Sequence, residues 1–279
     1  MLFRQRGRCY FDGRESAEIQ LMQPRTNSTQ REFASKYLEG QIRIVEKLRK
    51  IANIEVPLGF AIQQGLRQPV FEYPALLLSD HLKGGARMYE NVDPKLKHTY
   101  ENLIAYESET KAIFCGISSG LLHLHEAGAL LYGLNTRSVL IHKKGEDLIA
   151  KLSSFSEAPL VAQRDQMDFA EGKWDVRRLA PETMDSLEHT CKSDVWAMAI
   201  LFWEIISGCE PFYAFARDNE VEAAIKRGFR MEKPSDCKPK MYDLMNQCWM
   251  LDPENRPTAL KVTEELSKME NVVFRSKTQ

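Results

Sequence analysis

Apolar and polar positions change period along this chain, and the changes divide it in two. Ala17, Ile19 and Leu21 alternate with Glu18, Gln20 and Met22. A period of two predicts a strand with one buried face. Phe33, Tyr37, Leu38, Ile42, Val45, Leu48 and Ile51 then recur at spacings of three to four residues. That period predicts an amphipathic helix over 31–51. Two short strands are predicted at Val56–Ile62 and Ala75–Ser79, separated by a turn region of Gln, Gly and Arg. After Lys83-Gly84-Gly85 the pattern is mostly helical. Lys111–Ala127 is strongly apolar and reads as a buried helix. Val139–His142 and Leu148–Leu152 read as short strands around the turn Lys143–Glu146. Val195–Ser207 is apolar on nearly every side, so it must be buried on most of them. It is too short to span a bilayer, and Asp194 and Glu204 argue against one. Further helices are predicted at Glu220–Arg227, Lys240–Trp249 and Thr258–Met269.

Composition narrows the class. A chain of 279 residues, 43% hydrophobic and 28% charged, has the make-up and length of a soluble globular protein with a sizeable core. The net charge of −1 supplies no global field toward nucleic acid or an anionic membrane. The six cysteines are scattered and form no CxxC pair. Reduced thiols in a cytosolic compartment are therefore expected, without a zinc site or a disulfide framework. No apolar run reaches the roughly 20 residues of a membrane span. The basic start, Met1 to Arg8, has no apolar stretch and is not read as a secretory signal. Two readings stay open: a soluble protein, or the cytoplasmic part of a longer receptor.

Several motifs then fall in a fixed order: Ala180-Pro181-Glu182, Ser193-Asp194-Val195-Trp196, Pro211-Phe212-Tyr213, Asn219-Glu220-Val221, Gly228-Phe229-Arg230, Cys248-Trp249 and Asp252 through Pro257. Their order and spacing resemble the large lobe of tyrosine kinases from about residue 110 to 270. The resemblance implies a bilobal α+β protein-kinase fold. A strand-rich small lobe is expected over 1–82, a helical large lobe over 83–270 and a tail over 271–279.

In that family a Gly-rich loop covers the phosphates, and a strand lysine paired with a helix glutamate holds them. A His-Arg-Asp loop supplies the base, and an asparagine and an Asp-Phe-Gly aspartate hold magnesium. This chain departs at each point. Residues 1–30 contain only Gly7 and Gly13. The resemblance places Gln20 at the lysine, Gln41 at the glutamate, Gly133 at the base, Ser138 at the asparagine and Ser154 at the metal-binding aspartate. A positioned base is worth about 10²–10⁴ in rate, and magnesium favours carboxylate and phosphate oxygens over neutral hydroxyls. Losing both drops a turnover of about 1–100 s⁻¹ by several orders of magnitude. Asp147 and Glu157 are read as solvated surface carboxylates and not as replacements.

The residues that the resemblance retains are structural. Glu182 is expected to form a buried ion pair with Arg256. Asp194 is expected to accept backbone hydrogen bonds from the former catalytic loop, with a helix N-cap as the plainer role. Val45, Leu58, Leu131 and Phe155 match the apolar stack between lobes, which is expected to hold a closed posture without nucleotide. The segment 157–179 contains no tyrosine, and Arg178 stands where the family has tryptophan. Tyr89 and Tyr100 head two Tyr-Glu-Asn repeats and are candidate phosphosites, with plain helix-surface tyrosines as the blander reading. The loop Leu134–Leu140 is also similar to that of integrin-linked pseudokinases, which act as adaptors. The expected function is that of a pseudokinase: no enzyme and no cofactor, but a scaffold or allosteric partner of proteins such as an active kinase or a receptor. The alternative is a residual nucleotide-binding switch or a very weak kinase. Neither nucleic acid nor direct membrane contact is expected.

Overall fold

The computed structural model describes residues 3–11, 14–23, 36, 39–40, 42–48, 50–63, 66–72, 76–79, 107–131, 133–144, 147–153, 155–157, 175–186 and 188–274. The expected lobe boundary near 82, both candidate phosphotyrosines and most of segment 157–179 lie outside these residues.

The alternation around Ile19 becomes the strand Arg14–Gln23 (β2), hairpinned to Phe3–Phe11 (β1) with Phe3 opposite Gln23. Gly59–Gln63 (β3) and Leu66–Glu72 (β4) complete an antiparallel sheet of order β1-β2-β4-β3. The region read as a turn is therefore mostly strand. Its Gln and Arg residues carry weak β-propensity, but β2 and β3 pair with β4 on either side, and the neighbours decide. The predicted helix over 31–51 is helical at 42–48 (α1), with Ile44, Val45 and Leu48 buried. Ile51 lies past its end, where its N–H meets the Leu48 carbonyl at 2.9 Å.

The larger part is helical. Glu107–Glu126 (α2) is followed by Ala129–Leu131 (β6), Val139–Lys144 (β7), Asp147–Leu152 (β8) and Phe155–Glu157 (β9). Leu76–Leu77 (β5) joins β7 and β8 in a second sheet, and β6 pairs with β9. Pro181–Ser186 (α3), Cys191–Ser207 (α4), Asp218–Lys226 (α5), Pro239–Cys248 (α6) and Ala259–Lys268 (α7) follow. The apolar stretch at Val195 is the body of α4 and is buried along its length, as its composition requires. The architecture is α+β, a small antiparallel sheet beside a larger helical part. Among the described residues no helix is long and apolar enough to cross a membrane.

One turn ties the two parts together. The Glu55 N–H reaches the Leu152 carbonyl and the Leu152 N–H reaches the Asn53 carbonyl, both at 2.9 Å. The Asn53 amide donates to the Ala150 carbonyl at 2.9 Å. Gly116 and Gly120 of α2 make room for this turn. A β-carbon on Gly120 would stand 2.7 Å from the Asn53 carbonyl oxygen. His142 and Glu55, both buried, add a contact at 3.0 Å between β7 and the same turn. Ile44, Val45, Leu131, Phe155 and the α4 side chains thereby share one core.

Candidate functional site

Of the positions where the resemblance requires a charged or metal-holding group, Gln41 and Ser154 lie outside the described residues. Gln20 sits on β2 with its backbone opposite Arg6. Gly133 has φ +60°, a conformation that glycine adopts freely and most other residues do not. Ser138 is buried and engaged by its own loop. Its hydroxyl donates to the Asn135 carbonyl and accepts from the Asn135 N–H, both at 2.9 Å. Its carbonyl accepts the Ser153 N–H at 2.9 Å and the Ser153 hydroxyl at 3.0 Å. Positions 133 and 138 therefore offer no side chain beyond one hydroxyl already spent on backbone. That donor set does not fit a metal–triphosphate, which calls for carboxylates. Asp147 is exposed at the start of β8.

Asn135 organises this loop. Its amide donates to the Gly133 carbonyl at 2.8 Å, and its side-chain oxygen accepts the Arg137 N–H at 2.7 Å. Sequence reasoning passed over it. The available signal was its type, since asparagine commonly bonds the backbone two residues on and sets a turn.

The interlobe stack is shorter than expected. Leu131 and Phe155 oppose each other across β6 and β9, both fully buried, and Val45 belongs to the same core. Leu58 does not join them. It is 50% exposed, and its backbone N–H is tied to the Val70 carbonyl at 2.7 Å. The turn that carries residue 58 ends where β3 begins, and this directs the side chain to solvent. Ile54, at the Leu152 bridge, is the buried apolar residue of that segment.

Asp194 is fully buried and accepts the Leu131 N–H at 3.2 Å on Oδ2. The helix cap is Thr190, whose hydroxyl accepts from Lys192 and Ser193. Asp194 thus holds the chain at Leu131, just before the 133–138 loop, and leaves capping to Thr190. Two imidazoles pack on its carboxylate, His125 at 3.0 Å and His189 at 2.8 Å. Burial works against charge on His125, but hydrogen bonds to Asp194 and Cys191 outweigh it and raise the imidazole to about 9. Burial also disfavours charge on Asp194, and the two imidazoles reverse this, holding the carboxyl below its usual range. Neither histidine stood out in the sequence, because nothing local links positions 125, 189 and 194.

Glu182 and Arg256 form two parallel hydrogen bonds of 2.7 Å each. Arg256 is buried, while Glu182 keeps 23% of its side-chain surface, so the pair is half-buried and not wholly interior. Arg256 also donates to the Met250, Lys192 and Leu251 carbonyls and lies 5.0 Å from the Trp196 ring. Arg178 meets Glu204 at 2.8 Å, Asp175 at 2.7 Å and Glu210 at 3.4 Å. The tryptophan position of the family is thus occupied by a charged knot.

Residues 16–266 match the family described as protein tyrosine and serine/threonine kinase. Among curated relatives, the chain is 34% identical over 157 residues to tyrosine-protein kinase csk-1 of Caenorhabditis elegans, covering 56% of this chain and 28% of that one. It is 29% identical over 196 residues to ephrin type-A receptor 10 of Mus musculus, covering 70% of this chain and 18% of that one. It is 33% identical over 154 residues to tyrosine-protein kinase Abl of Drosophila melanogaster, covering 55% of this chain and 9% of that one. The chain spans less than a third of the length of each of these relatives. It belongs to the protein tyrosine and serine/threonine kinase family.

Proposed function

We propose that this chain is a catalytically silent member of its family, a pseudokinase that binds no ATP and works by presenting surfaces to proteins. Its partners are an active kinase or a receptor, and it acts as scaffold or allosteric regulator on the cytoplasmic side, alone or as part of a receptor. The observation that carries this reading is the loop at 133–138. A glycine stands where a base is needed, and the Ser138 hydroxyl is bonded to Asn135 on both its donor and acceptor sides. The core shared by Val45, Leu131 and Phe155 and the Asn53–Leu152 bridge support a closed arrangement that needs no nucleotide.

A thermal-shift titration with ATP, with and without magnesium, tests it. A ligand at a hundredfold its dissociation constant stabilises a protein by about 2.7 kcal/mol. The expected response is flat in both arms. A shift without magnesium would favour a nucleotide switch, and a magnesium-dependent shift accompanied by phosphate transfer would overturn the proposal.

A further inference from the structure

The basic start of the chain has no part in the loop at 133–138. Arg4, Arg6 and Arg8 alternate with Phe3, Gln5, Gly7 and Cys9, and all of them belong to β1. Residues of a strand alternate between its two faces, so the three arginine positions share one face at intervals of about 6.8 Å. The pairing with β2 sets Met22 opposite Arg4, Gln20 opposite Arg6 and Glu18 opposite Arg8. Opposite charges directly across a ladder attract, and β2 brings a carboxylate to this register at Glu18 alone. Arg4 and Arg6 stand opposite neutral residue types.

The same strand is an edge. Among the described residues the sheet runs β1-β2-β4-β3, with β2 on one side of β1 and no strand on the other. An edge strand presents backbone N–H and C=O groups with which another extended segment can pair. A register shift between Cys9 and Phe11 interrupts the ladder, and such irregularities terminate pairing. The regular run is therefore Phe3–Cys9, long enough to template a strand of ordinary length.

Charge selects what pairs there. A second copy of the chain would bring its own arginines to the new ladder, and like charges across a ladder destabilise it. A segment with Asp or Glu at every second residue has the period of the arginines. One register then sets its carboxylates beside them while its backbone extends the sheet. The net charge of −1 gives the whole chain no such preference; the attraction is local to β1.

We propose that β1 docks, by strand addition, an extended acidic segment of a protein partner with Asp or Glu at alternate positions. This gives a partner chemistry to the protein-binding molecule proposed for this chain and rests on that reading. The nucleotide titration and the peptide experiment fail independently of each other.

The test uses the full chain and fluorescein-labelled peptides, read by fluorescence anisotropy. The probe alternates Glu with Thr over the length of Phe3–Cys9. One comparison peptide keeps that composition with its Glu residues in a block, one carries Lys for Glu, and one is N-methylated along one edge, which removes the ladder donors. The alternating Glu peptide is expected to bind best, and less tightly as salt rises. The double variant Arg4→Glu, Arg6→Glu is expected to weaken it by about tenfold or more, because attraction at two positions becomes repulsion. The same variant is expected to bind the Lys peptide better than the parent does, a gain that a misfolded chain would not show. Arg4→Gln with Arg6→Gln should fall between parent and reversal. The proposal is overturned if the alternating Glu peptide does not bind, if the block or N-methylated peptide binds equally, or if the charge-reversed variant binds like the parent. It is also overturned if sedimentation shows self-association of the parent that the double variant abolishes, because the edge then receives a second copy.

Discussion

His125 and Asp194 meet at 3.0 Å inside a core where the carboxylate has no solvent exposure. His125 comes from the end of α2 and Asp194 from the first turn of α4, and the same Asp194 Oδ2 that meets His125 accepts the Leu131 N–H just before the 133–138 loop. Through Leu131 the pair reaches the core that Leu131 shares with Val45 and Phe155.

The first expectation concerns pH. His125 is raised from 6.5 to about 9 in the folded chain, so its contribution is fully present below the unfolded value and is lost as pH rises through about 9. At neutral pH the linkage amounts to about 2–3 kcal/mol. Asp194 is shifted the opposite way, and its contribution is lost on acidification. Urea midpoints measured from pH 6 to 10 should fall toward the alkaline end, and His125→Gln should flatten that fall. A parent midpoint unchanged between pH 7 and 9.5 would contradict the assignment.

Gly120→Ala separates propensity from packing. Alanine is favoured over glycine in a helix by about 1 kcal/mol. Its β-carbon would stand 2.7 Å from the Asn53 carbonyl oxygen and 3.0 Å from the Leu152 side chain. Backbone cannot yield as a flexible side chain can, so overpacking of about 1–3 kcal/mol or more should win. Thermal unfolding should show a lower midpoint; a higher one would mean that the turn at Asn53 moves freely.

Arg256→Leu removes one half of the ion pair with Glu182 and takes a donor from three backbone carbonyls. Breaking such a pair costs about 3–5 kcal/mol; the partial exposure of Glu182 places the loss near the lower end. Arg256→Lys should lose most of the same amount, since an ammonium cannot make the paired bonds. Denaturant unfolding of both variants gives the comparison.

Ser138→Ala tests whether the hydroxyl serves the loop. It leaves the Asn135 N–H without its acceptor, at a cost of about 1–3 kcal/mol. The β-carbon of Gly133→Asp meets only the Asn135 amide nitrogen, at an ordinary 3.8 Å, but the residue must adopt φ +60°, which costs about 1–2 kcal/mol. Installing the carboxylate alone should therefore lower stability and yield no phosphate transfer. Activity gained by that single change would show that the cleft binds metal–nucleotide and would overturn the proposal that it binds no ATP.

Hydrogen exchange on the isolated chain probes the interlobe support. Residues 42–48 bury Ile44, Val45 and Leu48 against the shared core. Slow exchange there without nucleotide is expected, and rapid exchange of that helix would remove the argument for a ligand-free closed arrangement.

The large lobe was readable because its helices bury continuous apolar stripes and its motifs are short and local. The Val195 stretch, the Ala180-Pro181-Glu182 turn and Asp252–Pro257 all lie within a few residues of chain. Composition alone also sufficed for the neutral residues at 133 and 138, since no fold returns a carboxylate to glycine or serine. What remained belongs to distances across the chain. Leu58 is as apolar as Leu131, yet only the strand geometry turns one to solvent and the other inward. β4 is a strand because two neighbours pair with it, against its own composition. The imidazoles on Asp194 come from positions 69 residues before and five before it. Local pattern reports a residue's preference for water or for a period, while a partner brought from far along the chain decides which side chains share a cavity, a charge or a strain.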